Sequence, residues 1–484
     1  MSNVIIMGAG PAGLAAGYEL AKNGTPAALF EAEKQVGGIS KTIEYKGYRF
    51  DLGGHRFFTK FDEVNELWRE VLGDDFKETP RLSRIYYRNR FFNYPLTAAN
   101  ALFGMGFLAT CAVMGSYIKA RLWPDREEKT FEQWVSNRFG KQLYRIFFKT
   151  YTEKVWGIPC AQIEAEWAAQ RIKGLSLKEA VANALFRPKH TKIKTLIDRF
   201  NYPVLGPGMM YDAMRARIEA WGGEVLPGAR ITRINHDGRR ILGVEHTVPG
   251  GGTAGRDGAQ FISSIPVTEL IELLHPAPGE DVRRMAKELR YRSIVTIDII
   301  VDRRDVFPDN WIYIHSPEVK LGRIQNFKNW SLEMVPDPAK TSLGLEYFCD
   351  EGDAFWNTPD DQLFTLAARE IEAIRICRAA EIEDYTVVRV PKAYPVYVRG
   401  YKERLDKIAG YLARFENLQL IGRYGLFKYN NMDHSIMTGL YAARNILHGR
   451  RIHDTWSVNT EEEYHEEDRR QESPVKKPGL VVGG

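Results

Sequence analysis

Val4-Ile5-Ile6-Met7-Gly8-Ala9-Gly10-Pro11-Ala12-Gly13, running on through Leu14 to Asn23 and then to Ala27-Ala28-Leu29-Phe30-Glu31, decides the fold. The apolar, β-branched start predicts a strand, the glycines a tight turn, and Leu14 to Asn23 a helix. Each glycine has its own reason. Gly8 permits the turn, Gly10 lets the backbone approach a pyrophosphate, and Gly13 lets the helix lie close on the strand. The helix start, with Pro11 and Ala12, then offers unpaired N–H groups and a positive dipole end to phosphate. The second strand ends at Glu31, whose carboxylate suits a ribose diol at this spacing and points to FAD or NAD instead of NADP. A bare glycine motif is common in ordinary turns. Strand, helix, second strand and acid in register set that reading aside. Gly37-Gly38, a few residues later, marks a second close approach of backbone to ligand. A nicotinamide enzyme has no obvious use for it, whereas flavoproteins with two dinucleotide-binding domains carry such a loop, so the similarity tips the choice to FAD.

With 484 residues the chain exceeds what one core usually serves. A hydrophobic content of 44% and an aromatic content of 12% are ample for globular cores, and a net charge of +5 is small for this length. That charge gives no case for nucleic acid, although local basic clusters suit a phosphorylated substrate. Cys111, Cys160, Cys349 and Cys377 show no CxxC spacing, and no basic-then-apolar leader precedes the first strand. A reducing cytoplasm is the simplest expectation. Phe91 to Ile118 carries no charged residue and is long enough to span a bilayer. Polar residues and Pro95 interrupt it, so a buried or substrate-lining helix is the expectation, with a monotopic membrane contact as the alternative and a true span disfavoured.

Farther along, Thr42 to Phe50 reads as a hairpin, and Asp51-Leu52-Gly53-Gly54-His55-Arg56-Phe57-Phe58-Thr59 as a loop fit to press on a flat ring. For His55 the plain alternative is a satisfied core histidine. Phe61 to Gly140 reads as mostly helical, with Thr130 as an N-cap before Phe131. Met209 to Trp221 reads as a helix, Ala229 to Ile234 as a strand, and Asp237-Gly238 as the turn of a hairpin. Gln260 to Pro266, Ser293 to Val301, Trp311 to Ile314 and Leu418 to Arg423 read as strands, Asp360 to Arg378 and His434 to Leu447 as helices. The last helix points an N-terminus toward the N1/O2 edge of a flavin. The tail after Val458 is charged and expected to be solvated.

The expected organisation is therefore α/β: a Rossmann-like FAD fold with two dinucleotide-binding domains, a helical substrate insertion and an antiparallel sheet over the flavin. FAD-binding segments fall at 1–60, 206–275 and 401–455, a mainly helical substrate domain at 61–205, a sheet domain at 276–400 and the charged tail at 456–484.

Several segments together resemble the UDP-galactopyranose mutases, flavoproteins of the broader amine oxidase and protoporphyrinogen oxidase superfamily. They are Tyr151-Thr152-Glu153-Lys154-Val155-Trp156-Gly157, Gly54 to Thr59, Tyr291-Arg292-Ser293, Arg323-Ile324 with Phe327-Lys328, Glu346-Tyr347, and Gly422-Arg423 with Tyr429-Asn430-Asn431-Met432-Asp433. The resemblance implies a non-redox use of FAD: the reduced N5 attacks the anomeric carbon of a nucleotide sugar, holds the sugar covalently, and releases it as pyranose or furanose. It also implies roles. His55 and Arg292 are the catalytic candidates. Tyr151, Trp156, Arg171, Tyr347 and Tyr429 are the substrate-binding ones, with Arg171 and Arg292 on phosphate oxygens. Gly54, Val225, Gly422, Arg423, Asn431 and Met432 join the glycine motif, Glu31 and Gly37-Gly38 in holding FAD.

The chain departs from that family at Phe58, where a second histidine is expected, at Phe427 in place of a tyrosine, and at Asn431 in place of an aspartate. The stretch between Arg171 and Met209 is also longer and basic. These positions lie where sugar and diphosphate bind, so the sugar need not be galactose. The leading expectation is an isomerase, a mutase of a nucleotide-activated sugar. The alternative is an FAD-dependent oxidoreductase of amine oxidase, protoporphyrinogen oxidase or desaturase type, with an apolar tunnel through Phe103, Phe107 and Met114. A flavin-binding scaffold without activity is the third.

Overall fold

The structure is a computed structural model and describes residues 3–94, 96, 100, 104–165 and 199–459. Val4–Met7 lies at the centre of a five-stranded sheet, flanked by Gln260–Ser263 and Ala28–Glu31, with Leu418–Leu420 and Glu224–Pro227 at the edges. All four pairings are parallel. A parallel sheet needs both faces covered, which is why Val4–Met7 is apolar at every position. One face is covered by the helices Pro11–Lys22, Gly208–Ala220 and Met432–Leu447, through Leu14, Met214 and Ile436. The other is covered by the Ile231–His236 and Ile241–Thr247 hairpin with helices 267–273 and 401–412. Hairpin Thr42–Tyr45/Tyr48–Asp51 forms as expected.

A second sheet of seven strands stands over this layer, in the order Ile382–Val396, Arg290–Val301, Thr341–Cys349, Arg323–Asn326, Trp311–Ile314, Ser83–Tyr87 and Arg90–Asn93. Its first five strands pair antiparallel, as expected. Its last two come from the region read as mostly helical, and Ser83–Tyr87 joins parallel to Trp311–Ile314. After the Asp62–Leu72 helix the chain is extended: Ser83-Arg84-Ile85-Tyr86-Tyr87 alternates and is rich in β-formers, and tertiary pairing completes it.

The uncharged stretch also departs from expectation. Phe91 and Phe92 belong to an edge strand, and the helix that follows, Phe107–Leu122, buries only Val113. Among the described residues no helix is long and apolar enough to cross a membrane. Thr130 caps Phe131–Phe139 in a reciprocal capping box with Gln133. Gly140, at φ +81°, ends that helix, and a π-helical segment, Tyr144–Lys149, then aims Thr150–Trp156 at the interior. The tail from residue 460 lies outside the described residues.

Candidate active site

A single cavity of about 1460 Å³ runs from the glycine turn of the parallel sheet to the inner face of the seven-stranded sheet. At its first end a Cβ on Gly13 would lie 1.9 Å from the carbonyl oxygen of Gly8, so that glycine is imposed by helix–strand packing. Gly10 differs: nothing of the protein comes nearer to its Cβ position than the Gly38 backbone at 3.8 Å. The open side of Gly10 faces the cavity, which is the gap a pyrophosphate needs. The Pro11–Lys22 helix starts there without a side-chain cap or a first-turn acid, leaving its first N–H groups for an anion. Glu31 lines the same end, its carboxylate fixed by the N–H groups of Ala9 (2.8 Å) and Glu33 (3.0 Å), and burial raises its pKa above the usual range. Gly37 donates its N–H to the carbonyl of Ala9 at 2.8 Å and so holds Gly38 against this turn.

A second helix start converges on this end. Asn431 caps Met432–Leu447 reciprocally with His434, and both Asn431 and Met432 line the cavity. The helix seats close to the first because Gly439 lies where a Cβ would come 2.2 Å from the Ala12 carbonyl. Gly422 fits beside Ala12 and donates its N–H to Thr438 Oγ1 at 2.8 Å. Two helix N-termini and the Glu31 carboxylate thus frame one end of the cavity, and this set of groups fits FAD. Val225 does not line it. It pairs with Leu29 inside the sheet, and Arg230 and Ile231 form the wall nearby.

The other end is polar and aromatic. Gly53 and Gly54 carry His55 beneath the sheet, close enough that a Cβ on Gly54 would lie 3.1 Å from Gln325 Nε2. Burial, and then the nearby Arg323 and Arg423, pull the His55 pKa down to about 3, so the ring is neutral. Its Nδ1 is buried without a hydrogen-bond partner, an acceptor or donor open to a ligand. Arg323 donates to Glu346 through Nε at 2.8 Å and Nη2 at 2.5 Å, and Gln325 Nε2 donates to the same carboxylate at 2.8 Å. Arg423 donates to the carbonyls of Ala393 and Asn430 and lies 4.2 Å over the Tyr429 ring. Tyr429 stacks on Tyr394 at 5.7 Å, and Trp156 stands about 6 Å from both, at 6.1 and 6.2 Å. Tyr151 stacks on His315 at 4.6 Å with burial raising its phenol pKa, and burial also pulls His315 down to about 3.

Besides Val225, two residues expected at the catalytic and substrate-binding end are elsewhere. The Arg292 guanidinium donates to the carbonyls of Val155 (3.2 Å) and Phe348 (3.0 Å) and pairs with Asp350 at 2.8 Å. It fills the space that the missing Cβ of Gly157 leaves, braces the end of the Thr150–Trp156 helix, and does not line the cavity. Tyr347 is one residue past Glu346 on the same strand, so its side chain takes the opposite face, where it packs on Phe355 at 5.3 Å. Arg171 lies outside the described residues. Sequence reasoning assigned no role to Arg323, Gln325, Tyr394 or His315. The polar-apolar-polar alternation of Arg323-Ile324-Gln325 was the available signal for the first two.

Residues 11–447 match the family described as flavin containing amine oxidoreductase. Among curated proteins the chain is 27% identical to a 1-hydroxycarotenoid 3,4-desaturase of Flavobacterium sp. (strain P99-3), over 49% of this chain and 46% of that one. It is 26% identical to a probable UDP-galactopyranose mutase of Klebsiella pneumoniae, over 34% of this chain and 43% of that one. These matches span less than half the length of either relative. Among solved structures, a reduced UDP-galactopyranose mutase superposes with a TM-score of 0.79 over 96% of this chain and 97% of that one, at 22% identity. A putative protoporphyrinogen oxidase from Exiguobacterium sp. 255-15 follows at 0.68 and 16% identity, covering 92% and 98%. Such identities establish the fold, and the match over residues 11–447 establishes the family: this chain belongs to the flavin-containing amine oxidoreductases, and its cofactor is FAD.

Proposed function

We propose that this flavoenzyme is a mutase that interconverts ring forms of a nucleotide-activated sugar. The observation that carries the reading is the pair of guanidinium groups, Arg323 and Arg423, set among Tyr394, Tyr429 and Trp156 at the inner end of the cavity. Among the described residues Arg423 has no carboxylate partner, so its charge is available to an anion. A diphosphate there meets planar charged donors and phenolic hydroxyls on largely buried side chains, where such contacts are stronger than in open solvent. A polyene in the same place would cover Arg423, whose charge meets only carbonyl oxygens, with hydrocarbon and bring it no anion, which is unfavourable.

The reaction asks the protein to keep a departed nucleoside diphosphate in register for its return. Arg323, fixed by Glu346, and Arg423, fixed by two carbonyls, hold their positions before substrate arrives, which is the preorganisation that electrostatic stabilisation requires. Tyr151 and Trp156 supply ring faces for the nucleoside. The neutral His55 offers its open Nδ1 to a sugar hydroxyl without adding charge beside the arginines. Reduced FAD, when bound, supplies a nucleophilic N5.

The test is anaerobic incubation of the dithionite-reduced enzyme with UDP-, dTDP- and GDP-sugars, followed by cyanoborohydride. Flavin recovered with the added mass of one sugar, and only from reduced enzyme, supports the reading and identifies the substrate. Desaturase relatives and the aromatic wall of Phe131, Phe147 and Phe148 favour a second reading, hydride removal from an apolar substrate. Its signature is bleaching of the oxidised flavin by an apolar amine or polyene, with no sugar adduct.

A further inference from the structure

We propose that the outer face of the Phe107–Leu122 helix, continued by Trp123, is a docking surface for an anionic lipid bilayer. Phe107 and Leu108 are 80% and 83% exposed, and Ile118, Leu122 and Trp123 are 54%, 62% and 73% exposed. Side chains of this size seldom stand so far into water on one element unless something covers them. At sixteen residues the helix is about 24 Å long, too short to cross a hydrocarbon core of ~30 Å but suited to lying in its interface.

Charge decides the occupant. From Thr79 to Pro124 the sequence has no aspartate or glutamate. Lys119 and Arg121 are exposed in the last turns of the helix, and Arg88 and Arg90 are exposed on the neighbouring hairpin. Among the described residues none of these four has a carboxylate partner, and Arg90 donates to the carbonyl of Gly104, which ties the hairpin tip to the approach of the helix. The acids that follow are engaged within their own loop and helix: Asp125 accepts from the Glu127 N–H and from Gln133 Nε2, Glu127 pairs with Lys129 and Glu128 with Arg138. A second copy of this chain docked helix to helix would set Lys119 and Arg121 against a helix that carries no acid of its own. Headgroups of anionic lipid match both parts: Phe107, Leu108, Leu122 and Trp123 enter the acyl boundary while the cations stay at the phosphates.

The surface is fixed to the cavity wall. Ser116 Oγ accepts a hydrogen bond from the N–H of Gln142 at 3.0 Å, and a Cβ on Gly140 would lie 2.7 Å from the Tyr117 nitrogen. The elements on either side of that contact carry Phe131, Phe147 and Phe148 to the cavity. A bilayer held by this helix therefore sits against the same subdomain that lines the substrate end. The inference stands whether the substrate is a nucleotide sugar or not.

The experiment is co-sedimentation of the full-length, flavin-loaded protein with vesicles of phosphatidylcholine containing phosphatidylglycerol, against pure phosphatidylcholine, at low and high salt. Partitioning is expected to favour the anionic vesicles and to fall with salt. Both F107S/L108S and K119E/R121E are expected to lower it by about ten-fold or more, with the flavin spectrum and melting temperature unchanged. Absence of binding to anionic vesicles, or binding that neither double variant weakens, overturns the proposal. So does concentration-dependent dimerisation of the parent that F107S/L108S abolishes, which assigns the face to a second copy.

Discussion

The two ends of the cavity are built by different means. At the parallel sheet the backbone does the binding: an uncapped helix start, a glycine with its open side to the ligand, and a second helix seated through Gly439. At the seven-stranded sheet the lining is made of side chains: Arg323 and Gln325 reach the cavity from the inward face of a strand, Tyr151 and Trp156 from the helix that follows the π-helical segment, and His55, Arg423 and Tyr429 from loops and a short helix. A backbone site depends on residue type at fixed spacing. A side-chain site depends on which of two faces each residue takes, and a shift of one position exchanges them.

This contrast predicts the largest effects where backbone packing leaves no room. Gly13→Val sets a side chain on the Gly8 carbonyl, 1.9 Å from its Cβ position, and is expected to cost more than about 4 kcal/mol and to yield protein without bound flavin, read by absorbance and thermal melting. Next comes Arg323→Ala. It leaves Glu346, 1% exposed, with a buried charge and only Gln325 to meet it, and a loss of about 3–5 kcal/mol in urea unfolding is expected. The double variant R323M/E346M should lose less than the single one. If it loses more, the pair is not the buried unit described.

Arg423→Gln should leave the fold intact and weaken nucleoside diphosphate binding by about 1.5–3 kcal/mol, measured by calorimetry on the flavin-loaded enzyme. Unchanged affinity would remove the support for an anionic substrate. Smaller still is the contrast between two tyrosines. Tyr429→Phe should lower turnover or affinity several-fold, whereas Tyr347→Phe, on the far face of its strand, should change neither by more than about two-fold.

The last effect concerns pH. The folded-state pKa of His55 is about 3, below the 6.5 of a free imidazole, so between these values the unfolded chain binds the extra proton. Stability linked to His55 is fully present above about pH 6.5 and declines as pH falls toward 3. His55→Asn should flatten the stability profile between about pH 5 and 6.5 relative to the parent, a modest difference that denaturant midpoints can resolve.

The legibility of the sequence follows the same division. Val4-Ile5-Ile6-Met7 through Glu31 predicted strand, turn, helix, strand and acid, and each forms, because every one of those assignments rests on local chain geometry. Of the antiparallel strands, Ser293 to Val301 and Trp311 to Ile314 were visible as apolar runs, and Thr341–Cys349 was not singled out. Ser83–Tyr87 was not, since its strand character is completed by pairing with Trp311–Ile314, far away in sequence. The Phe107–Leu122 helix read as buried because apolar composition is blind to what covers it.

The sequence by itself determined the dinucleotide-binding fold, its glycine turn and the acid at the end of the second strand, because a dinucleotide is held by backbone whose path a few residues dictate. Only the tertiary structure decided that Arg323, held by Glu346, lines the cavity while Arg292 braces a helix end and Tyr347 turns away. Those outcomes depend on sheet register, on the Ser293 bulge that shifts the pairing between Arg292 and Ile294, and on which neighbour fills the space beside Gly157. None of these is a property of a residue and its near neighbours along the chain.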